Sequence, residues 1–213
     1  MSQSEFEALT VRAVACRTCF HELSVDAALI DVAQPRWVGP EYVSARRRVA
    51  IVMLNPGSGE SRTDDADDRF RQLMRAFADG SGSLDAVLHH EACYMVNWGR
   101  GRFLPFYVDG LGLQLNAIAF ANVAWCATRG NRYPGSMLTT CFERHTWKLL
   151  TILDPDVVLL SGSATHRFAK RTRRLLPDSH VVPMLHYAHR KGHSAEAREL
   201  QRVRSEISLA GER

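Results

Sequence analysis

The chain has 213 residues, enough for one domain with a sizeable core and no disulfide support. Its apolar share of 46% and charged share of 23% are those of an ordinary globular chain, which excludes disorder and collagen-like structure. No apolar run is long enough to span a bilayer, and an N-terminus carrying Glu5 and Glu7 is neither a signal peptide nor a good transit peptide, so a cytoplasmic location with no membrane partner is expected. The formal charge is +4, and of the 27 basic residues only Lys148, Lys170 and Lys191 are lysines. Arginine presents a planar fork that suits phosphate, although a GC-rich coding sequence gives the same bias with no function behind it.

Residues 4–15 read as a short helix leading into Cys16-Arg-Thr-Cys19, and residues 23–30 as a second helix. Pro35, Gly39 and Pro40 mark a loop. The run 49–54 is continuously apolar with β-branched members, as in a buried parallel strand, and stops at Asn55-Pro56-Gly57-Ser58-Gly59. The acidic run 64–68 suits a helix start, where carboxylates complement the dipole. Over 67–78, Phe70, Leu73, Met74 and Phe77 recur at helical spacing. Residues 92–97 read as a strand, 118–125 as a second strong strand, and the turn-rich Arg129-Gly-Asn-Arg-Tyr-Pro134 follows. A long helix over 136–153 precedes a third buried strand at 156–160. The helix 164–175 carries Arg167, Lys170, Arg171, Arg173 and Arg174; a fourth strand, 181–185, ends at His186; and a charged helix over 194–208 closes the chain. The basic stretch suits a nucleic-acid backbone without specifying one.

Strands alternating with helices predict a three-layer αβα fold around a central, mainly parallel four-stranded sheet. A single domain over 1–213 is expected, its first 45 residues a helical and loop extension bearing Cys16 and Cys19. Ligands of such sheets bind at the carboxyl ends of the strands. That rule selects 55–61, 122–134, 161–163 and 186–192.

Five cysteines in a chain of this class argue against a disulfide framework. Cys16 and Cys19 form a C-x-x-C pair, a moderate signal for metal or redox chemistry. Cys126 and Cys141 are a second pair that completes four thiolates, the set for a tetrahedral zinc or an iron–sulfur cluster. By spacing alone these two serve equally well as small core residues. A thiol oxidoreductase reading fits poorly, because Cys16 follows a helix well before the first strand.

The segment Asn122-Val-Ala-Trp-Cys126-Ala-Thr-Arg-Gly-Asn-Arg-Tyr-Pro134, with Cys141 beyond it, resembles the N-V-x-x-C-x-x-x-G-N-R-x-P…C run of the iron–sulfur (family 4) uracil-DNA glycosylases, which also carry an N-terminal C-x-x-C. The resemblance covers roughly 12–195, with a poor match over 80–115. It implies that Cys16, Cys19, Cys126 and Cys141 ligate one 4Fe–4S cluster, zinc being the lesser alternative. Asn55-Pro56-Gly57 departs from the family's acidic first motif and resembles the N-P-G loop of the mismatch-specific and single-strand-selective relatives. His186-Tyr-Ala-His-Arg190 keeps the histidine of the superfamily's H-P-S but not its proline and serine.

The implied activity is excision of uracil, or a related deaminated base, by hydrolysis of the N-glycosidic bond in DNA, performed by a monomer. Asn55 would orient the water, since an amide cannot act as a general base, and His186 would stabilise the departing anion. Asn122 would read a pyrimidine edge, Gly57 would line the base pocket, and Phe70 would stack on the extruded base, although a core role beside Leu73, Met74 and Phe77 suits Phe70 slightly better. Tyr187 as a wedge, with His189, Arg190 and Lys191, would form the loop that enters the minor groove. The alternative is a non-catalytic binder of damaged DNA on the same fold, favoured by the departures in both motifs.

Overall fold

The computed structural model describes residues 3–27, 30–56 and 65–210. The chain divides into two compact units interleaved along the sequence, one of Met1–Arg36, Asn55–Glu91 and Ala121–Ile152, the other of Trp37–Leu54, Ala92–Phe120 and Leu153–Arg213.

The first unit begins with α1 (Gln3–Val14) and the short α2 (Thr18–His21), which lies between Cys16 and residues 22–27. The expected helix over 23–30 does not form in its described part. Residues 24–26 are irregular, and Ala27 instead makes an antiparallel bridge with Thr128. Helix α3 (Asp65–Ala78) packs on α1, and Phe70 and Met74 of its apolar face are buried.

The second unit carries most of the sheet. Strands β1 (Val49–Met53), β2 (Ile118–Asn122), β3 (Val157–Ser161) and β4 (His180–Met184) lie in the order β2-β1-β3-β4. All run parallel, in a three-layer α/β fold of the expected class. Residues 49–53 and 157–161 are buried throughout, as strands covered on both faces require. Register is regular, with Ile51 opposite Leu159 and Leu159 opposite Val182. Helices α7 (Ser163–His166) and α8 (Ala169–Leu175) split the expected helix 164–175 in two, and with α9 (His193–Leu209) they pack on β4. Arg48 fixes the start of β1, its main-chain N–H donating to Asp156 Oδ2 at 2.7 Å and its guanidinium pairing with Asp154 and Asp156 at 2.8 and 2.9 Å.

The strand expected at 92–97 is instead the end of a helix, α4 (Leu84–Met95). Leu84, Val87, Glu91 and Met95 are buried at intervals of one helical turn, while Cys93, Tyr94 and Val96 are exposed, so the apolar string is one-sided and follows the helical period. The long helix expected at 136–153 forms as α5 (Gly135–Cys141), a wide π turn over Phe142–Thr146, and α6 (Trp147–Leu153).

Main chain also covers the outer side of β2. Val38 bridges Ala119, Gly39 N–H donates to Ile118 O at 3.0 Å and Phe120 N–H to Trp37 O at 2.8 Å. A Cβ on Gly39 would sit 2.1 Å from Asn116 O, a main-chain atom that cannot step aside. Gly39→Ala is therefore expected to cost about 2–3 kcal/mol and to lower the melting temperature by several degrees. A Tm equal to that of wild type would show that this crossing relaxes freely.

Candidate functional site

Within the first unit, the pieces bearing the four cysteines come together. Cys19 lies in α2 and is buried, as are Cys126 beyond β2 and Cys141 at the end of α5, while Cys16 is half-buried. The Cys126 and Cys141 thiols lie close enough to the Cys19 sulfur to favour its thiolate, which holds Cys19 well below the ordinary thiol range. The same proximity to Cys19 pushes Cys126 and Cys141 upward, with burial adding to the shift and Cys16 near enough to act on both. Trp125 N–H donates to Cys141 Sγ at 3.1 Å. Four sulfurs are a soft donor set that fits an iron–sulfur cluster or zinc. Among the described residues, no group of three or more His, Cys, Asp or Glu is arranged to hold a metal ion as the side chains stand. Loading a metal would displace the thiol protons. His145, one turn after Cys141, is buried against Trp125 with ring centroids 5.5 Å apart, and burial lowers its pKa to about 4.

The segment after Cys126 turns back on itself through Gly130 (φ 64°) and Asn131 (φ 56°), two successive left-handed residues that glycine and asparagine tolerate best. The turn brings two side chains to Asn55. Asn55 Nδ2 donates to Asn131 Oδ1 at 3.0 Å, and the Tyr133 hydroxyl, which accepts from Thr128 N–H at 3.3 Å, lies close to the Asn55 side chain. Thr128 Oγ1 donates to Arg132 O at 2.9 Å and closes the turn.

Asn122 ends β2 and is 1% exposed. Oriented by its neighbours, its amide accepts from Arg36 Nε at 2.9 Å and donates to Asn55 O and Ala121 O, each at 3.3 Å. The side chain expected to read a base edge thus has its two donors engaged within the chain, and the work it performs here is to hold the main chain at Asn55. Phe70 is 6% exposed and stacked on His90, with centroids 5.8 Å apart and planes 12° from parallel. Gly57 lies outside the described residues.

In the second unit, His186 follows β4. Gly162 (φ 95°) faces it, and a Cβ there would come within 3.4 Å of His186 Cβ. Ala188 N–H donates to His186 Nδ1 at 3.2 Å. Burial, and secondarily His189, lower the His186 pKa to about 4, so the ring is neutral at pH 7. A neutral ring that accepts at Nδ1 carries its proton on Nε2, which makes Nε2–H the donor. Tyr187 packs edge-on against Phe103 and Tyr107, at 5.6 and 6.0 Å, above Gly99, where any Cβ would strike its ring at 2.1 Å. It is half-buried in an aromatic cluster rather than projecting as a wedge. His189 also turns inward: its side chain is 8% exposed, with Nε2 2.9 Å from Glu196 Oε2 but off the line of a hydrogen bond. Arg190 and Lys191 are exposed.

Sequence reading missed Arg36, Glu91, Asn131 and Tyr133. The last two sit inside the Gly-Asn-Arg-Tyr-Pro run, so their motif was visible although their partner Asn55 was not. Arg36 and Glu91 gave no local signal, because their contacts join distant stretches of chain.

No protein-family model matches the chain, and no curated protein matches it significantly.

The depressed histidine has a thermodynamic consequence. The folded pKa of about 4 lies below the ordinary 6.5, so between those values the unfolded chain binds the proton more readily. Stability due to a neutral His186 is therefore present above about pH 6.5 and lost as pH falls toward 4. His186→Gln is expected to lose about 1 kcal/mol less than wild type between pH 7 and pH 5, after discounting for partial exposure. Urea unfolding at both pH values measures this; equal losses would assign the acid limb to other groups.

Proposed function

We propose that the chain is a DNA glycosylase of the uracil-DNA glycosylase kind, which extrudes uracil or another deaminated base and hydrolyses its N-glycosidic bond. One observation carries the reading. The Asn55 side chain donates to Asn131, within the segment whose sequence resembles the iron–sulfur glycosylases and whose Cys126 lies beside Cys19 of the N-terminal C-x-x-C.

Asn55 lies two residues beyond β1 and His186 two residues beyond β4, each at a strand's carboxyl end, the usual place for ligands of a parallel sheet. Cleavage builds positive charge on the sugar and negative charge on the leaving base. His186 Nε2–H supplies a neutral donor to that anion, and a neutral imidazole avoids burying a second charge. Asn55 orients a water without taking its proton, so the rate is set by leaving-group stabilisation. Asn122 holds the Asn55 main chain. Arg190 and Lys191, with Arg167, Lys170 and Arg174, are exposed cations suited to phosphate. Cys16, Cys19, Cys126 and Cys141 would hold the cluster, whose contribution is a structural tie between the N-terminal segment and the segment after β2.

The second reading is a damaged-base binder without catalysis. It draws on the amide, in place of a carboxylate, at position 55.

Single-turnover cleavage of a G·U duplex, followed by a panel of deaminated bases and alkaline strand scission, separates the two. His186→Ala is expected to lose on the order of 10²–10³ in rate while binding the duplex as wild type does. Equal rates for the two proteins would remove His186 from the chemistry, and binding without cleavage of any base would favour the second reading.

The metal is tested separately. Protein purified without oxygen should contain iron and absorb broadly in the visible, and both should fall in Cys126→Ser and Cys141→Ser. Protein with neither iron nor zinc would refute the cluster.

A further inference from the structure

Arg36 and Glu91 form an ion pair, Nη1 to Oε1 at 2.8 Å, with the two residues only 5% and 2% exposed. Such a pair costs several kcal/mol per ion in desolvation, offset only where further hydrogen bonds complete it. Burial pushes the Glu91 carboxyl up to about 7 despite the neighbouring guanidinium, and its Oε2 has no hydrogen-bond partner among the described residues. The pair is therefore weakly explained as a device for stability.

Its geometry explains it better. The Arg36 guanidinium reaches four stretches of chain within the first unit. Nη1 donates to Glu91 on α4, Nη2 to Gln34 Oε1 at 3.1 Å and to Pro56 O at 3.3 Å, and Nε to Asn122 Oδ1 at 2.9 Å. A rigid planar fork that holds a carbonyl and an amide at once fixes their mutual position. The carbonyl belongs to the residue after Asn55. The amide, once its oxygen faces Arg36, has its nitrogen turned to Asn55 O.

We propose that Arg36, braced by Glu91, is the positioning residue of the candidate site, setting the Asn55–Pro56 main chain and the Asn122 amide together. Its consequence for catalysis rests on the glycosylase reading; its consequence for the two asparagines does not.

Arg36→Lys keeps the charge beside Glu91 but loses the fork. Three measurements on the full chain test it: the side-chain amide cross-peaks of Asn55 and Asn122 in ¹H–¹⁵N spectra, duplex affinity by anisotropy, and single-turnover cleavage of a G·U duplex. Both sets of cross-peaks should move, affinity should stay within about twofold, and cleavage should fall about 10²-fold, the size of effect that a misplacement near 1 Å produces. Glu91→Gln keeps the side chain's shape and a neutral acceptor, and it decides the matter if Arg36→Lys does not fold. It should move the same cross-peaks and lower cleavage about tenfold, because a neutral acceptor holds a guanidinium less firmly. Unmoved cross-peaks in a folded variant would overturn the proposal, as would moved cross-peaks with wild-type cleavage, or affinity that falls in step with cleavage. If wild type cleaves no base at all, the glycosylase reading fails, and the cross-peaks alone then decide whether Arg36 sets the asparagines.

Discussion

Residues 122–128 leave the sheet buried throughout yet do not continue as strand beyond Asn122. Buried peptide groups with no ladder must find other partners, and much of the first unit's polar structure supplies them. Thr146 Oγ1 lies 2.6 Å from Asn122 O and 3.2 Å from Val123 O, and it also accepts from Trp125 Nε1 at 3.1 Å. Cys141 Sγ accepts from Trp125 N–H, and Trp125 O accepts from Gln34 N–H at 2.7 Å. Ala27 bridges Thr128. The π turn over 142–146 belongs to this arrangement: it carries the chain from Cys141 to Thr146, both of which reach the buried segment.

The candidate site is held by the ends of that segment. Its start, Asn122, reaches Asn55 O through its own amide. Its continuation through Gly130 and Asn131 reaches the Asn55 side chain. One residue after β1 is thus gripped at main chain and side chain by a single stretch of sequence, and Cys126 lies along the same stretch. A group bound at Cys126 would stiffen that stretch from within.

The sheet was legible because its strands are continuously apolar and β-branched, a pattern that parallel burial demands; 49–53 and 157–161 are buried at every position. Residues 92–97 misled for the same reason. Their apolar string looked like a strand, but Glu91 and Met95 belong to a helical face that begins at Leu84. Position 91 was hard to read as buried because a carboxylate is rarely enclosed without a partner, and the partner, Arg36, lies far away in sequence. Among the functional candidates, residue types near strand ends were visible, but the direction of their hydrogen bonds was not. Asn122 reads equally well as facing a ligand or facing the chain until Arg36 is placed beside it. Tyr187 likewise looks like a wedge until Gly99 and Phe103 are seen beneath it.

The second unit solves its own version of the problem with charge. Helix α9 has a low apolar content, and its sequence reads as a solvated surface. Its carboxylates nonetheless work inward. Glu206 meets His180 at 2.7 Å, Glu199 accepts from Leu185 N–H at 3.0 Å, and Glu196 lies at 2.9 Å from His189 and 2.8 Å from Arg102. The spacing of 196, 199 and 206 puts them on one helical face, so the helix is amphipathic in charge and holds β4 and its loop by acceptors. On the other side, Ser161 Oγ donates to Leu185 O at 3.1 Å and is itself hydrogen-bonded to Tyr107. Leu185 is anchored through both its N–H and its carbonyl, and His189 is placed four residues further on. Between those fixed points the His186 ring receives Ala188 N–H at Nδ1. Its tautomer is therefore set by the fold of the loop rather than by solvent, and that leaves a neutral Nε2–H donor at the carboxyl end of a parallel strand.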